Sequence, residues 1–427
     1  MLSSDLDAVV LADDPRSHVR IAGLSARERA VRVARKVGAT SVTVVDEPGQ
    51  RARLERTRTA PLLVIRADQL VHTPLVQPLA AAKGTAVAVD ADGAYAGAFV
   101  ATGADAVRAI AELASGATDD AIAAGFADPA RVPHGELARA PIGTADERRA
   151  AHRMLYRILI KPQDNAITRY AYRPISFPLT RLLVWTPITP NQISYLVAAI
   201  VALGCWIAAH ASDRAALVGT VLVLAASYLD CCDGEVARVK LLSSRLGAWI
   251  DTVVDELSSV GYMVAIGWHC HLAYGPSFFG APPFDPWLVA TAVSVVTYLW
   301  AIYCIYYNII VAVGSANSQD YVGRFEVVPG AQPNSVRLRP AAAAAIAPPK
   351  ELPPVLRWLA TYAPYVVRRD FISWGAVVLA ALHWTHVAFA MLVAGGLVTF
   401  VIVTIDHVRL RSLRRAIQRR GLVVENP

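Results

Sequence analysis

The chain has 427 residues, a formal net charge of +7, 55% hydrophobic residues and a mean hydropathy of +0.40. That apolar content excludes a disordered chain and a purely soluble globular one. Several windows approach the roughly 18–20 apolar residues that a membrane helix needs. The basic balance, with an isoelectric point of 9.2, fits cationic cytoplasmic loops, so no nucleic-acid partner is expected. The first 30 residues are polar and carry Asp5, Asp7, Asp13 and Asp14, which predicts no signal peptide.

Residues 1–140 read as a Rossmann-like α/β domain. "DAVVLA" (Asp7–Ala12) is a short apolar strand, and "SARERAVRVARKVG" (Ser25–Gly38) is a helix. Ser25 and Glu28 have capping-box spacing, and Gly38 is a C-terminal stop. "SVTVVD", "PLLVIRAD" and "GTAVAVDADGAYAGAFVA" follow as strands, the last as a hairpin around Asp92-Gly93, and "GADAVRAIAELA" is a further amphipathic helix. Strands alternating with helices predict a mostly parallel sheet.

Residues 141–185 interleave Arg with Tyr, Leu and Ile, which suits a helix lying on an anionic membrane surface. Residues 186–410 then hold six expected spans: Asn191–His210, Ala215–Cys231, Gly247–His269, Trp287–Val313, and two that divide the apolar run near Trp384–His386. A basic tail, 411–427, closes the chain. With both termini inside, every strongly basic loop falls in the cytoplasm, as expected for a multi-pass protein of a prokaryotic inner membrane. "RPAAAAAIAPPKELPP" is a low-complexity linker. Cys205, Cys231, Cys232, Cys270 and Cys304 lie in or beside apolar segments with no CxxC pair and are read as free buried thiols. The consecutive residues His269-Cys270-His271 do not share a helix face, so they are not read as a metal site.

Four aspartates sit where a carboxylate is costly. Asp230, Asp233 and Ala237 fall at i, i+3 and i+7, on one helix face; Gly247, Asp251 and Asp255 fall at i, i+4 and i+8, also on one face. Converging between two helices, four carboxylates would repel strongly unless protonated or neutralised by cations. Clustered carboxylate oxygens are hard ligands, suited to Mg²⁺, Mn²⁺ or Ca²⁺, and two divalent ions would balance four charges. Such ions, with Arg238 nearby, are what a diphosphate needs. Gly234 and Ala237 remove bulk beside the metals, and Gly247 would let its helix approach the preceding one closely. Helix caps and loop charges at a membrane surface are the plain alternative; ionisable residues inside spans favour function.

The run Asp230-x-x-Asp233-Gly234-x-x-Ala237-Arg238, eight residues, Gly247-x-x-x-Asp251-x-x-x-Asp255 resembles the CDP-alcohol phosphotransferase signature at every fixed position and spacing. The resemblance extends over roughly 160–410 and includes "TPITPN" before the first span. It implies metal-dependent transfer of a phosphoalcohol group from a CDP-linked donor to an acceptor hydroxyl, with release of CMP. It further implies that Asp230, Asp233, Asp251 and Asp255 bind metal, with Asp255 as the general base. Asp230, Asp233, Gly234, Ala237, Arg238 and Gly247 would line the CDP moiety. Mg²⁺ or Mn²⁺ would be the working ion, Ca²⁺ a non-productive occupant, and the enzyme a homodimer among membrane lipids.

The N-terminal order resembles a sugar-phosphate nucleotidyltransferase, with "LLVIRADQLV" placing Asp68 where that fold keeps a metal-binding Asp. The chain has "ADDPRSHVRIAG" in place of the glycine-rich loop, so no amide cradle for a triphosphate is expected. The two-part layout is similar to inositol-phosphate cytidylyltransferases fused to a di-inositol-phosphate phosphate synthase. "KPQDNAITRYAYRPIS" (Lys161–Ser176) carries part of that likeness, with Asn165 where Gly is expected, and points to an inositol-like polyol or its phosphate as acceptor. The alternatives are a bifunctional enzyme with a working cytidylyltransferase domain, a cation transporter, and a pseudoenzyme scaffold. The nucleotide-shaped Gly/Ala/Arg framework argues against the transporter, and intact Asp255 against the scaffold.

Overall fold

The computed structural model describes residues 6–54, 60–160, 167–280, 282–314, 320–332, 334–341, 353 and 369–425. Most of the Ala-rich linker and residues 161–166, Asn165 among them, lie outside these. The chain divides into two compact units. The first gathers residues of Met1–Asp164, Phe177–Ile188 and Gly234–Leu242; the second holds Asn165–Ser176, Thr189–Asp233 and Ser243–Pro427.

In the first unit, β1 (Leu6–Leu11), β2 (Ala39–Val45), β3 (Leu62–Arg66), β5 (Ala86–Val89), β6 (Tyr95–Ala101) and β7 (Ala130–Pro133) form one sheet in the order β2-β1-β3-β6-β5-β7. β4 (Gln69–Val71) pairs apart with β8 (Arg139–Pro141). β1 runs parallel to β2 and β3, as expected, but β6 is antiparallel to both neighbours, so the sheet is mixed. The cause is the expected hairpin: Gly93 sits at φ +83° and its N–H meets the Asp90 carbonyl at 3.0 Å, so the chain reverses into β6 without a crossover. Helix α1 (Ala26–Lys36) begins with the predicted Ser25/Glu28 capping box and stops at Gly38, φ +103°. Helices α2 (Thr73–Ala80), α3 (Gly103–Ala114) and α4 (Asp119–Ala124) complete the layers over cores around Val10, Leu63 and Ile65 on one side and Val64 and Phe99 on the other.

Helix α5 (Ala145–Arg157) differs from the membrane-surface reading. Its apolar residues Ala151 and Leu155 are buried at 0% and 1% exposure, so that face is spent on protein contacts. The exposed apolar edge belongs to α6 (Arg173–Leu183), which leaves Ile175 and Leu182 open beside Arg181.

The first unit also holds the end of α8 (Asp213–Val239). Lys240 is buried and donates to the Thr186 carbonyl at 2.6 Å, while Arg32 of α1 donates to the Lys240 carbonyl at 2.7 Å. Leu241 turns the chain out of the helix in the left-handed region, φ +56°, and packs its side chain into the β1 core.

The second unit is helical: α7 (Pro190–Ala208), most of α8, α9 (Arg245–Tyr274), α10 (Pro286–Asn308, continued by a π turn to Val313), α11 (Arg369–Ala381) and α12 (Thr385–Arg419). A capping box of Thr189 and Gln192 with Pro190 at the first position starts α7, which accounts for "TPITPN". Among the described residues, four helices have the length and apolarity to cross a membrane: α7, α8, α10 with its π turn, and α12. Helix α9 has 30 residues but carries Arg245, Asp251, Asp255 and Glu256, and α11 has 13 residues. α12 continues through the basic residues to Arg419, after which β11 (Val423–Val424) joins β9 (Phe325–Pro329) and β10 (Ser335–Pro340) in a small sheet.

Small residues set the helix spacing. A Cβ on Gly219 of α8 would lie 2.3 Å from the Gly204 carbonyl oxygen of α7, and one on Gly267 of α9 would lie 2.0 Å from Thr291 Oγ1 of α10. His269 and His271 turn to different partners. His269 Nδ1 lies 2.6 Å from the His210 carbonyl oxygen, and His271 Nδ1 lies 2.6 Å from Asp285, the N-cap of α10.

Candidate functional site

Helices α8 and α9 bring the signature together. Asp230, Asp233 and Asp251 each offer a carboxylate oxygen, and the three oxygens lie within 4.8 Å of one another. Asp233 is buried at 5% exposure and accepts a hydrogen bond from Ser194 Oγ of α7. The other two are half-buried. Two ligand oxygens on opposite sides of one cation stand about 4 Å apart for Mg²⁺ and about 5 Å for Ca²⁺. The group therefore fits one hard divalent ion with little side-chain movement, and its all-oxygen donor set suits that class.

Asp255, one turn beyond Asp251, lies outside this trio and lines a cavity of about 170 Å³ together with Asp230. Its neighbour Glu256 accepts from Tyr298 at 2.8 Å and Tyr306 at 3.2 Å, both on α10. A Cβ on Gly234 would lie 3.2 Å from the Arg238 guanidinium, which folds back along the same helix. Gly247 approaches Asn191 of α7, with an added Cβ only 3.1 Å from Asn191 Oδ1; the expected close approach to α8 is not its role. Ser244 caps α9 by accepting from the Gly247 N–H at 2.9 Å. Ala237 is half-buried one turn after Asp233.

Sequence reasoning missed Ser194, Glu256, Tyr298 and Tyr306. Each acts across helices that no local spacing relates, and only the acid inside an apolar run, Glu256, gave a signal.

In the first unit, Asp68 stands at the end of β3, as read from the sequence, but its carboxylate is held by two arginines. Arg66 Nη2 lies 2.7 Å and Arg16 Nη2 3.0 Å from Oδ2. Arg16 comes from the loop that replaces the glycine-rich one, a single 3₁₀ turn (Pro15–His18) capped by Asp14. Its guanidinium also binds Asp14, whose carboxyl is held down to about 2 chiefly by that hydrogen bond.

Residues 187–347 match the family model for CDP-alcohol phosphatidyltransferase, a span that holds all four aspartates. This region is similar to CDP-alcohol phosphatidyltransferases. The chain is also similar to proteins named bifunctional IPC transferase and DIPP synthase. That of Rubrobacter xylanophilus is 34% identical over 124 residues, 28% of each chain. That of Aquifex aeolicus is 32% identical over 150 residues, 35% of this chain and 32% of the relative. That of Thermococcus kodakarensis is 31% identical over 131 residues, 30% and 28%. The matches span about a third of these relatives' length or less.

Proposed function

We propose that the protein transfers a phosphoalcohol group from a CDP-linked donor to an acceptor hydroxyl, releasing CMP, as a multi-pass membrane enzyme. The observation that carries this reading is the trio Asp230, Asp233 and Asp251, oxygens within 4.8 Å, inside a domain that matches the family. These residues, with Asp255 if a second ion is bound, would hold Mg²⁺ or Mn²⁺, with Ca²⁺ as a non-productive occupant. A bound ion would neutralise the diphosphate and polarise the reacting phosphoryl group.

The chain's own groups do the rest. Asp230 and Asp255 share a cavity, so an alcohol there would reach Asp255, which takes its proton as the oxygen attacks phosphorus. Gly234, Ala237, Arg238 and Gly247 line the CDP moiety, with Arg238 countering diphosphate charge. Ser194 holds one Asp233 oxygen and so would orient this carboxylate for a cation.

In this reading α9 and α11 cross as well, which makes six spans with both termini on one side, and the basic loops favour the cytoplasm, where CDP-linked donors are found. A homodimer is the proposed assembly. The similarity to proteins named bifunctional IPC transferase and DIPP synthase supports an inositol-like polyol or its phosphate as the acceptor. The Asp68 ion pairs with Arg16 and Arg66 support an N-terminal domain without nucleotidyltransferase activity, against the bifunctional alternative. The test is CMP release from CDP-diacylglycerol, CDP-inositol and other CDP-alcohols by the purified protein with Mg²⁺. Release from at least one donor supports the reading, and none from any donor overturns it.

A further inference from the structure

Arg29 of α1 is fully buried, at 0% exposure, yet its guanidinium is almost unpaired. Nη2 lies 3.5 Å from the Ile21 carbonyl oxygen, at the far limit of a hydrogen bond. Nε and Nη1 are buried and have no partner among the described residues. Burial first, and then the charge of Arg32, push this guanidinium down to about 10. Further unpaired atoms lie at the start of α2, which packs against α1. His72, the N-cap, has a buried Nδ1 without a partner, and so does the next residue, at Thr73 Oγ1. Burial, then Arg29 and Lys36, hold His72 down at about 4. Burial, then Arg181 and Arg29, also lower His152 of α5, whose Nε2 receives the Ala22 N–H at 3.4 Å. The charges acting on these three groups are all cationic: Arg29, Arg32, Lys36 and Arg181.

A buried guanidinium is costly unless something of opposite charge pairs with it. Unpaired donors in a field of cations are the complement of an anion. The donors here are a guanidinium, a hydroxyl and an imidazole, drawn from two elements. That mixture suits a tetrahedral oxyanion, whose acceptors point several ways, better than a planar carboxylate or a halide. The start of α2 adds the positive end of a helix. Arg29 is sealed, but His72 and Thr73 are half-buried, which leaves the way in at the start of α2. We propose that Arg29, His72 and Thr73 form a binding site for a phosphate group, either the free ion or the end of a small phosphomonoester. Arg29 and the Thr73 hydroxyl donate to the phosphate oxygens, and His72 donates from Nδ1 in its neutral form. The site lies within the first unit and is independent of the transferase reading.

The experiment titrates the full-length protein in nanodiscs of zwitterionic lipid, free of divalent metal, with inorganic phosphate, with glycerol 1-phosphate and with chloride at matched ionic strength. Binding is read by calorimetry, and the melting temperature is read on the same samples. The wild type is expected to bind one phosphate per chain and to melt higher with it. Arg29→Met is expected to weaken binding by at least about tenfold, the weight of one charge-assisted hydrogen bond, and to lose the rise in melting temperature. Thr73→Val removes only the hydroxyl and is expected to weaken binding severalfold; should Arg29→Met fail to fold, this variant decides alone. Arg35→Met removes the same charge from the exposed face of α1 and is expected to change nothing. Glycerol 1-phosphate binding as tightly as phosphate supports a phosphomonoester as the ligand, and binding of inorganic phosphate alone supports the free ion. No binding by the wild type, equal affinity for chloride, undiminished binding by Arg29→Met or Thr73→Val, or an equal loss in Arg35→Met would overturn the proposal.

Discussion

Ser194 on α7 donates its hydroxyl proton to Oδ2 of Asp233 on α8, which ties the first helix of the membrane unit to the carboxylate trio. A ligand oxygen held in this way is aimed, and outer partners of metal ligands typically contribute 10–100-fold to affinity. Ser194→Ala is expected to weaken Mn²⁺ binding about tenfold without unfolding the protein, measured by Mn²⁺ titration of the purified chain. Unchanged affinity would show that Asp233 needs no such support.

The same two helices meet at Gly204 and Gly219. With an added Cβ on Gly219 only 2.3 Å from a backbone oxygen and 2.4 Å from the Ala208 nitrogen, no rotamer change relieves the clash. Gly219→Val is expected to destabilise the protein by at least 1–3 kcal/mol, the usual cost of overpacking, and to lower the melting temperature in detergent. A melting temperature equal to the wild type would mean that the helices can separate freely.

What the sequence made legible follows from the range of each interaction. The aspartate signature is written at i, i+3 and i+4 on two adjacent helices, so spacing predicted that Asp230, Asp233, Asp251 and Asp255 converge; the first three bring their oxygens within 4.8 Å of one another, and Asp255 lies outside that group. Caps at Ser25 and Gly38 are local and were readable for the same reason. Ser194 and Asp233 are 39 residues apart, and Arg16 and Asp68 are 52 apart, so nothing local announced either pair. The antiparallel β6 was visible as a hairpin, yet its effect on the sheet depended on which strand it joined next, β3, which the hairpin does not specify. The apolar face of α5 looked like a membrane face because periodicity reports an apolar stripe and not what covers it.

His72, the N-cap of α2, has a buried Nδ1 with no hydrogen-bond partner, and desolvation, then Arg29 and Lys36, push its pKa down to about 4. The folded state thus keeps it neutral while the unfolded chain binds a proton below the ordinary value of 6.5. Its contribution is full above about 6.5 and is lost progressively as pH falls toward 4, by at most roughly 3 kcal/mol. Hydrogen exchange of α2 amides should show this decline between pH 7 and 4, and His72→Leu should flatten it. An unflattened profile in the variant would assign the decline to other groups.

The Asp68 carboxylate is engaged by Arg16 and Arg66, so a catalytic cation would have to displace two guanidinium groups. Full-length protein given CTP, Mg²⁺ and inositol phosphate is expected to form no CDP-inositol above background. Its formation would restore the N-terminal domain as a working cytidylyltransferase.

The central claim is that carboxylates on α8 and α9 carry out CDP-alcohol transfer, with Asp255 acting on the acceptor. The most direct measurement is Mg²⁺-dependent CMP release by wild type and Asp255→Asn, with CDP binding measured on the same preparations. The account predicts that the variant binds CDP within a fewfold of wild type, while its turnover falls by 10²–10⁴-fold, about the contribution of a positioned general base. Wild-type turnover by Asp255→Asn would contradict it.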